Sequence, residues 1–172
     1  MIRKFVVKFM TKFALKRNKT ERDSESYANA KRIGLVYSYV NDGQHHQVDG
    51  LRQKLVADGK SVETLVFTPR ALKLDDFHEP CFTELDYSSK GKWKKDHVVA
   101  FKTTAFDYLI CLDEEINKYI RNILASSKAK CRVGGYAEGN EAFFEFMINQ
   151  RDMTYAQYLE QLYHYITQLK NG

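Results

Sequence analysis

Residues 106–136 read FDYLICLDEEINKYIRNILASSKAKCRVGGY, and this stretch decides the fold. Phe106-Asp107-Tyr108-Leu109-Ile110-Cys111-Leu112 is a nearly unbroken apolar run, which suits a parallel strand covered on both faces. Asp113 then offers a side chain for an N-cap, and Glu114 and Glu115 favour the positive end of a helix. Ile116, Tyr119, Ile120, Ile123 and Leu124 recur at the spacing of one buried helical face. Lys128 and Lys130 stand where a helix C-terminus welcomes cations. Cys131-Arg132-Val133 resumes extended structure and breaks at Gly134-Gly135. A strand, a helix and a second strand in this order form a βαβ unit, and the unit sets an α/β class.

The same alternation extends on both sides. Residues 32–40 (RIGLVYSYV) read as a first strand, and Asn41-Asp42-Gly43 as a turn. Residues 44–58 read as a helix with Val48, Leu51, Leu55 and Val56 inward and Gly59 past its end. Residues 61–68 read as a second strand stopped by Pro69, and residues 81–85 as a shorter third. Residues 96–103 suit a short helix and 143–148 a last strand. Thr154 and Gln157 form a capping-box signature opening a final helix with Tyr155, Tyr158, Leu159, Leu162, Ile166 and Leu169 in one stripe. Short right-handed crossovers then imply a single Rossmann-like three-layer domain, its mostly parallel sheet holding about five strands with the first one central. At 172 residues, 44% hydrophobic and 28% charged, the chain can bury a full core, so wholesale disorder is excluded.

The net charge of +5 is unevenly placed. Residues 1–20 carry seven Lys or Arg and no acid, leaving 20 of the 27 bases against all 22 acids, net −2, in the remainder. Within 1–20, Ile2, Phe5, Val6, Phe9, Met10 and Phe13 recur at helical spacing, with Lys4, Lys8, Lys12 and Lys16 on another side. This is an N-terminal basic amphipathic helix. Residues 21–31 read as a polar linker and 32–172 as the body. The helix can therefore sit apart, its Arg3, Lys4, Lys8, Lys12, Lys16 and Arg17 meeting an anionic surface. RNA or a ribonucleoprotein is placed before a membrane as that surface, and packing against the body or a second copy of the chain, a homodimer, is the plain alternative. The loop Lys90, Lys92, Trp93, Lys94 and Lys95 adds a second basic feature, in which Trp93 could stack on a base; a solvated loop with the tryptophan tucked inward is the plain alternative.

In parallel sheets ligands bind beyond the carboxyl ends of the strands. That edge would gather Tyr39, Asn41, Asp42, His45 and His46 after the first strand, Asp113 after the fourth, and Gly134, Gly135, Tyr136 and Glu138 after the fifth. No glycine-rich phosphate loop follows the first strand, and no nucleophile elbow occurs, so neither a cofactor nor a catalytic nucleophile is expected. Adjacent His45 and His46 diverge on a helix, and no metal site is expected. No apolar run approaches the ~20 residues that span a bilayer, and no cleavable leader is visible. Three cysteines without a CxxC pair point to reduced, structural thiols and a cytoplasmic setting.

Phe106 to Asp113, the helix after it and Ala129 to Gly135 resemble an uncharacterised family of small bacterial α/β proteins, and Trp93-Lys94 and residues 144–148 extend the likeness over residues 32–170. That resemblance implies the fold and no assigned activity. The same pattern is similar to the acceptor-side domain of heptosyltransferase-like glycosyltransferases, which use a second Rossmann domain for their donor; this chain has no room for one. The expected function is a non-enzymatic adaptor docking through its N-terminal helix. The alternative is a small-molecule or sugar-nucleotide enzyme using the strand-end crevice.

Overall fold

The computed structural model describes residues 2–23, 25–68 and 78–170. Among these, six strands form one sheet: β1 (Arg32–Ser38), β2 (Ser61–Phe67), β3 (Cys81–Phe82), β4 (Tyr108–Cys111), β5 (Cys131–Gly135) and β6 (Phe146–Ile148). Their spatial order is β3-β2-β1-β4-β5-β6, and every neighbouring pair runs parallel. This is the Rossmann-like order expected, with β1 central and the order reversing between β1 and β4. Pro69, the expected stop of β2, lies outside the described residues.

Side-chain alternation explains the three layers. Leu35, Tyr37, Tyr108, Ile110, Leu112 and Val133 share a core with α2 (Asp42–Ala57) and α5 (Tyr155–Thr167). Val36, Leu65, Leu109 and Cys111 face the opposite core, with α3 (Asp96–Thr103) and α4 (Lys118–Ser126). Both faces of the central strands are dry, hence their apolar runs. The capping box of α5 forms as read, Thr154 accepting from the Gln157 N–H and Gln157 accepting from that of Thr154.

Several local expectations are corrected. The helix after β4 begins at Lys118, not at Asp113, and its N-cap is Asn117, whose Oδ1 accepts from the Tyr119 and Ile120 N–H groups at 2.9 and 3.0 Å. An equally good cap stands four residues downstream, and Asp113 turns back to β1 instead. The third strand is only two residues long, because Thr83 caps a 3-10 turn at Glu84–Asp86. Gly134 and Gly135 lie inside β5 rather than breaking it. A Cβ on Gly134 would stand 2.3 Å from Cζ of Phe144, so the glycine lets that ring lie on the strand. Val56 points outward on α2.

The N-terminal helix, α1 (Ile2–Arg17), is not set apart. It lies on α4 as an added layer, Val7 entering the core with Val6, Ala14 and Leu15 partly covered. Thr11 is buried at this contact and donates to the Val7 carbonyl. On one flank, Gly91 takes φ +77°, and a Cβ there would meet Met10 Cγ at 2.8 Å, so the 88–92 loop closes against α1. The stretch after α1 is a strap rather than a free tether. Asn18 donates to the Ala125 and Ser127 carbonyls at 2.9 and 2.8 Å, and Arg22 donates to the Ala129 and Ser127 carbonyls. Buried Lys60 donates to the Tyr27 and Ala30 carbonyls, and Tyr27 donates to Asp58. Polar composition had suggested a solvated linker, but its side chains satisfy carbonyls bared after α4, and Lys60 beside β2 satisfies two of its own.

Candidate functional site

At the switch point between β1 and β4, Asp113 is buried and accepts from the Ser38 N–H and the Ser38 hydroxyl, both at 2.6 Å. Asn117 donates to the same hydroxyl oxygen at 2.9 Å, so one serine ties both strand ends to the start of α4. The buried hydroxyls of Tyr155 and Tyr158 lie nearby without a hydrogen-bond partner among the described residues, and burial, reinforced by the charge of Asp113, pushes both phenols up. The other expected crevice residues are taken up by local partners or by packing. Asn41 caps α2 through the Gln44 N–H, Asp42 accepts from Tyr39, and Glu138 is exposed in a turn. Gly135 is covered by the Gln150 side chain, as Gly134 is by Phe144. The two glycines serve side-chain packing and leave no opening for a phosphate. His45 is engaged by the Tyr37 hydroxyl at 2.6 Å and stands 3.8 Å from Glu79; among the described residues no three His, Cys, Asp or Glu side chains group to hold a metal.

Burial outweighs the two Ser38 bonds and raises the Asp113 carboxyl to about 6. The sign is unusual for an aspartate. Because the folded state holds this proton more tightly than the unfolded chain, stability from Asp113 falls as pH rises from about 4 to 6, then levels. Replacing it with Asn removes that limb. Asp113→Asn should gain stability relative to the parent by about 2–3 kcal/mol between pH 4 and pH 7, measured by urea unfolding at several pH values. Parallel stability–pH curves for the two proteins would show that Asp113 is not a titrating, desolvated acid.

The basic loop does not present its tryptophan. Trp93 is buried against Phe82 and Tyr87, and its indole N–H donates to Asn122 at 3.0 Å, so it cannot stack on a base. Lys94 donates to the Leu85 carbonyl, and Lys95 donates to that of Cys81 and pairs with Asp86. Lys90 and Lys92 remain exposed at the loop tip. The loop shapes the body's edge around an aromatic plug.

The outward face of α1 is the larger feature. Ile2, Phe5, Phe9 and Phe13 are 72, 74, 68 and 41% exposed. The apolar set read from the sequence is therefore split: Val6 and Met10 turn toward the body, while the three phenylalanines and Ile2 turn away. Lys4, Lys8, Lys12, Lys16 and Arg17 are exposed with them, and Arg17 lies over the Phe13 ring at 4.5 Å. Arg3 is half-buried.

Beside this row, a groove of about 520 Å³ runs between α1, the start of α4 and residues 139–143. Leu15, Ile116, Ala142 and Phe143 line it, and Lys8, Lys12, Lys118 and Arg121 stand along it. Arg121 donates to the Ile116 carbonyl and to Asn140 Oδ1, and its guanidinium lies 5.4 Å from the Phe143 ring centre. Lys118 is held below the usual lysine range by desolvation, then by Lys4 and Lys8, with Glu84 acting the other way. Lys118 and Arg121 escaped the sequence reading. The available signal was a second acid-free run, residues 116–137, which holds five Lys or Arg.

Comparisons with known proteins give the chain a family but no activity. No curated protein and no solved structure matches it, so the likeness to glycosyltransferase acceptor domains gains no support. The profile of a family of unknown function, DUF6913, matches residues 3–169, α1 and strap included, and the chain belongs to that family.

Proposed function

We propose that the protein is a peripheral adaptor that docks on an anionic lipid surface through the outward face of α1. The observation that carries this reading is the exposure of Ile2, Phe5, Phe9 and Phe13 on a helix whose opposite face is already anchored by Val7 and Thr11. Four bulky apolar side chains on one solvated row are expensive in water and suited to the headgroup boundary. The lysines interleaved with them match an acidic surface, each contributing about 1 kcal/mol near anionic lipid. RNA, the other anionic surface, is less well served, because Trp93 is sealed and the Lys94 and Lys95 ammonium groups are engaged. No helix among the described residues is long and apolar enough to cross a membrane, so α1 would lie along the surface.

Flotation with vesicles of phosphatidylglycerol and phosphatidylcholine tests it. The triple variant Phe5→Ser, Phe9→Ser, Phe13→Ser changes only outward side chains and should keep the parent's circular dichroism. It should partition at least about 100-fold more weakly, since each phenylalanine contributes roughly 1 kcal/mol or more at the interface. Pure phosphatidylcholine vesicles should bind the parent poorly, and added salt should weaken binding to the acidic ones. If the triple variant floats as well as the parent, or if the parent prefers single-stranded RNA to acidic vesicles, the lipid reading is wrong.

A further inference from the structure

We propose that the groove between α1, the start of α4 and residues 139–143 seats a single acidic phospholipid, its phosphate among Lys8, Lys12, Lys118 and Arg121 and the first part of an acyl chain along Leu15, Ile116, Ala142 and Phe143. This rests on the lipid-docking reading and deepens it, from attraction to a charged surface to recognition of one molecule in it.

Three features point to an amphiphile. First, none of the four cations is engaged in an ion pair among the described residues, Arg121 donating to neutral acceptors only, whereas Arg22, Lys54, Lys95, Lys130 and Arg132 all are. Lys118 accordingly feels Lys4 and Lys8, with Glu84 acting the other way. A phosphate placed here would relieve like-charge crowding as well as gain charge-assisted hydrogen bonds. Second, Leu15, Ile116, Ala142 and Phe143 give the groove an apolar wall, which free phosphate would leave unused. A nucleobase is equally poorly matched, because Phe143 is buried and Arg121 stands beside its ring. A volume of about 520 Å³ accommodates a headgroup and several methylenes. Third, the groove is continuous with the docking row. Lys8 and Lys12 line it and also stand exposed beside Phe5 and Phe9. A lipid drawn partly from the bilayer could thus enter without the protein leaving the surface.

The test separates the groove from the docking row. Dihexanoyl phosphatidylglycerol, kept below its micelle concentration, is titrated into the full chain by calorimetry, with dihexanoyl phosphatidylcholine and inorganic phosphate as comparisons. The acidic lipid should bind saturably, at least about tenfold more tightly than either comparison, the margin that one well-placed charge contact supplies. Ala142→Trp fills the groove from an exposed position without altering charge, and Lys118→Gln removes one cation. Each should weaken binding of the short-chain lipid about tenfold or more, while the triple phenylalanine variant should retain it. Inorganic phosphate binding as tightly as the lipid would overturn the amphiphile assignment. So would Ala142→Trp and Lys118→Gln both binding like the parent. Should the parent float with acidic vesicles yet show no saturable binding of the short-chain lipid, the groove proposal fails and the docking reading stands. Saturable, Ala142-dependent binding without flotation would sustain the groove and remove the docking row.

Discussion

Replacing Glu145 with Ala should cost about 2–4 kcal/mol of folding stability, among the largest single-site losses in the molecule, read as a shift in the urea midpoint. Arg132 lies in β5 with its side chain only 8% exposed, and its charge is balanced by Glu145, 22% exposed. The carboxylate accepts from the Arg132 guanidinium at 2.5 and 3.1 Å and from the Arg132 backbone N–H at 2.7 Å. Arg22 of the strap stands 3.9 Å from the same carboxylate. Burial and the neighbouring Arg132 already hold the Arg22 guanidinium below its usual range, with Glu145 opposing them. Removing Glu145 leaves two guanidiniums facing each other with no counter-charge, and the Arg132 N–H orphaned. The remaining exposure of Glu145 lets water repair part of this, which is why the expected cost lies below the ~5 kcal/mol extreme for fully buried pairs. The paired replacement Arg132→Met with Glu145→Leu removes both charges and should recover most of the loss. A cost below about 1 kcal/mol for Glu145→Ala would mean that the pair is solvated and contributes as a surface bridge does.

The frame of the protein was readable because both faces of the sheet are buried. Long apolar runs such as residues 106–112 can serve only a central parallel strand, and alternation with amphipathic helices then leaves few topologies. What escaped the reading were positions decided by competition between similar residues. Asp113 and Asn117 are both good N-caps. Only the tertiary contact of Asp113 with Ser38 shows which of them is free to cap α4. The residues 21–31 linker failed for a related reason. Polar composition registers solvation, yet Arg22, Tyr27 and the carbonyls around them find partners far along the chain.

The docking row was legible in kind but not in direction. Helical spacing grouped Phe5, Phe9 and Phe13 because they do share a side. It could not say that the side faces water, because the two buried positions of the helix, Val7 and Thr11, are less apolar together than the phenylalanines opposite them. Trp93 is the converse case. Its lysine neighbours left both an exposed stacking ring and an inward one open, and the structure has the inward one, with Trp93 bridged to Tyr87 and buried. Removing residues 1–20, the natural experiment from sequence alone, would therefore withdraw Val7 from the core as well as the cationic face.

A gentler way to separate anchoring from docking is Asn122→Ala. Asn122 is buried on α4, where its Oδ1 accepts from the Trp93 indole and its Nδ2 donates to Thr11 Oγ1 at 3.2 Å. Three elements, α1, α4 and the tryptophan that follows the 88–92 loop, thus meet through one amide. Truncation orphans the indole N–H and opens a small cavity, together costing about 2–4 kcal/mol. The loss should be local first. Amide exchange should quicken along α1 while β1 and β4 stay protected, because α1 sits outside the three central layers. The chain has a single tryptophan, so its fluorescence should shift to the red as water reaches the indole. If α1 amides exchange as slowly as in the parent and the emission is unchanged, the amide is a bystander and α1 is held by its apolar packing and the strap. If α1 loosens, acidic vesicles should restore its protection in Asn122→Ala, because a surface that holds the outward phenylalanines stabilises the same helix from its other side.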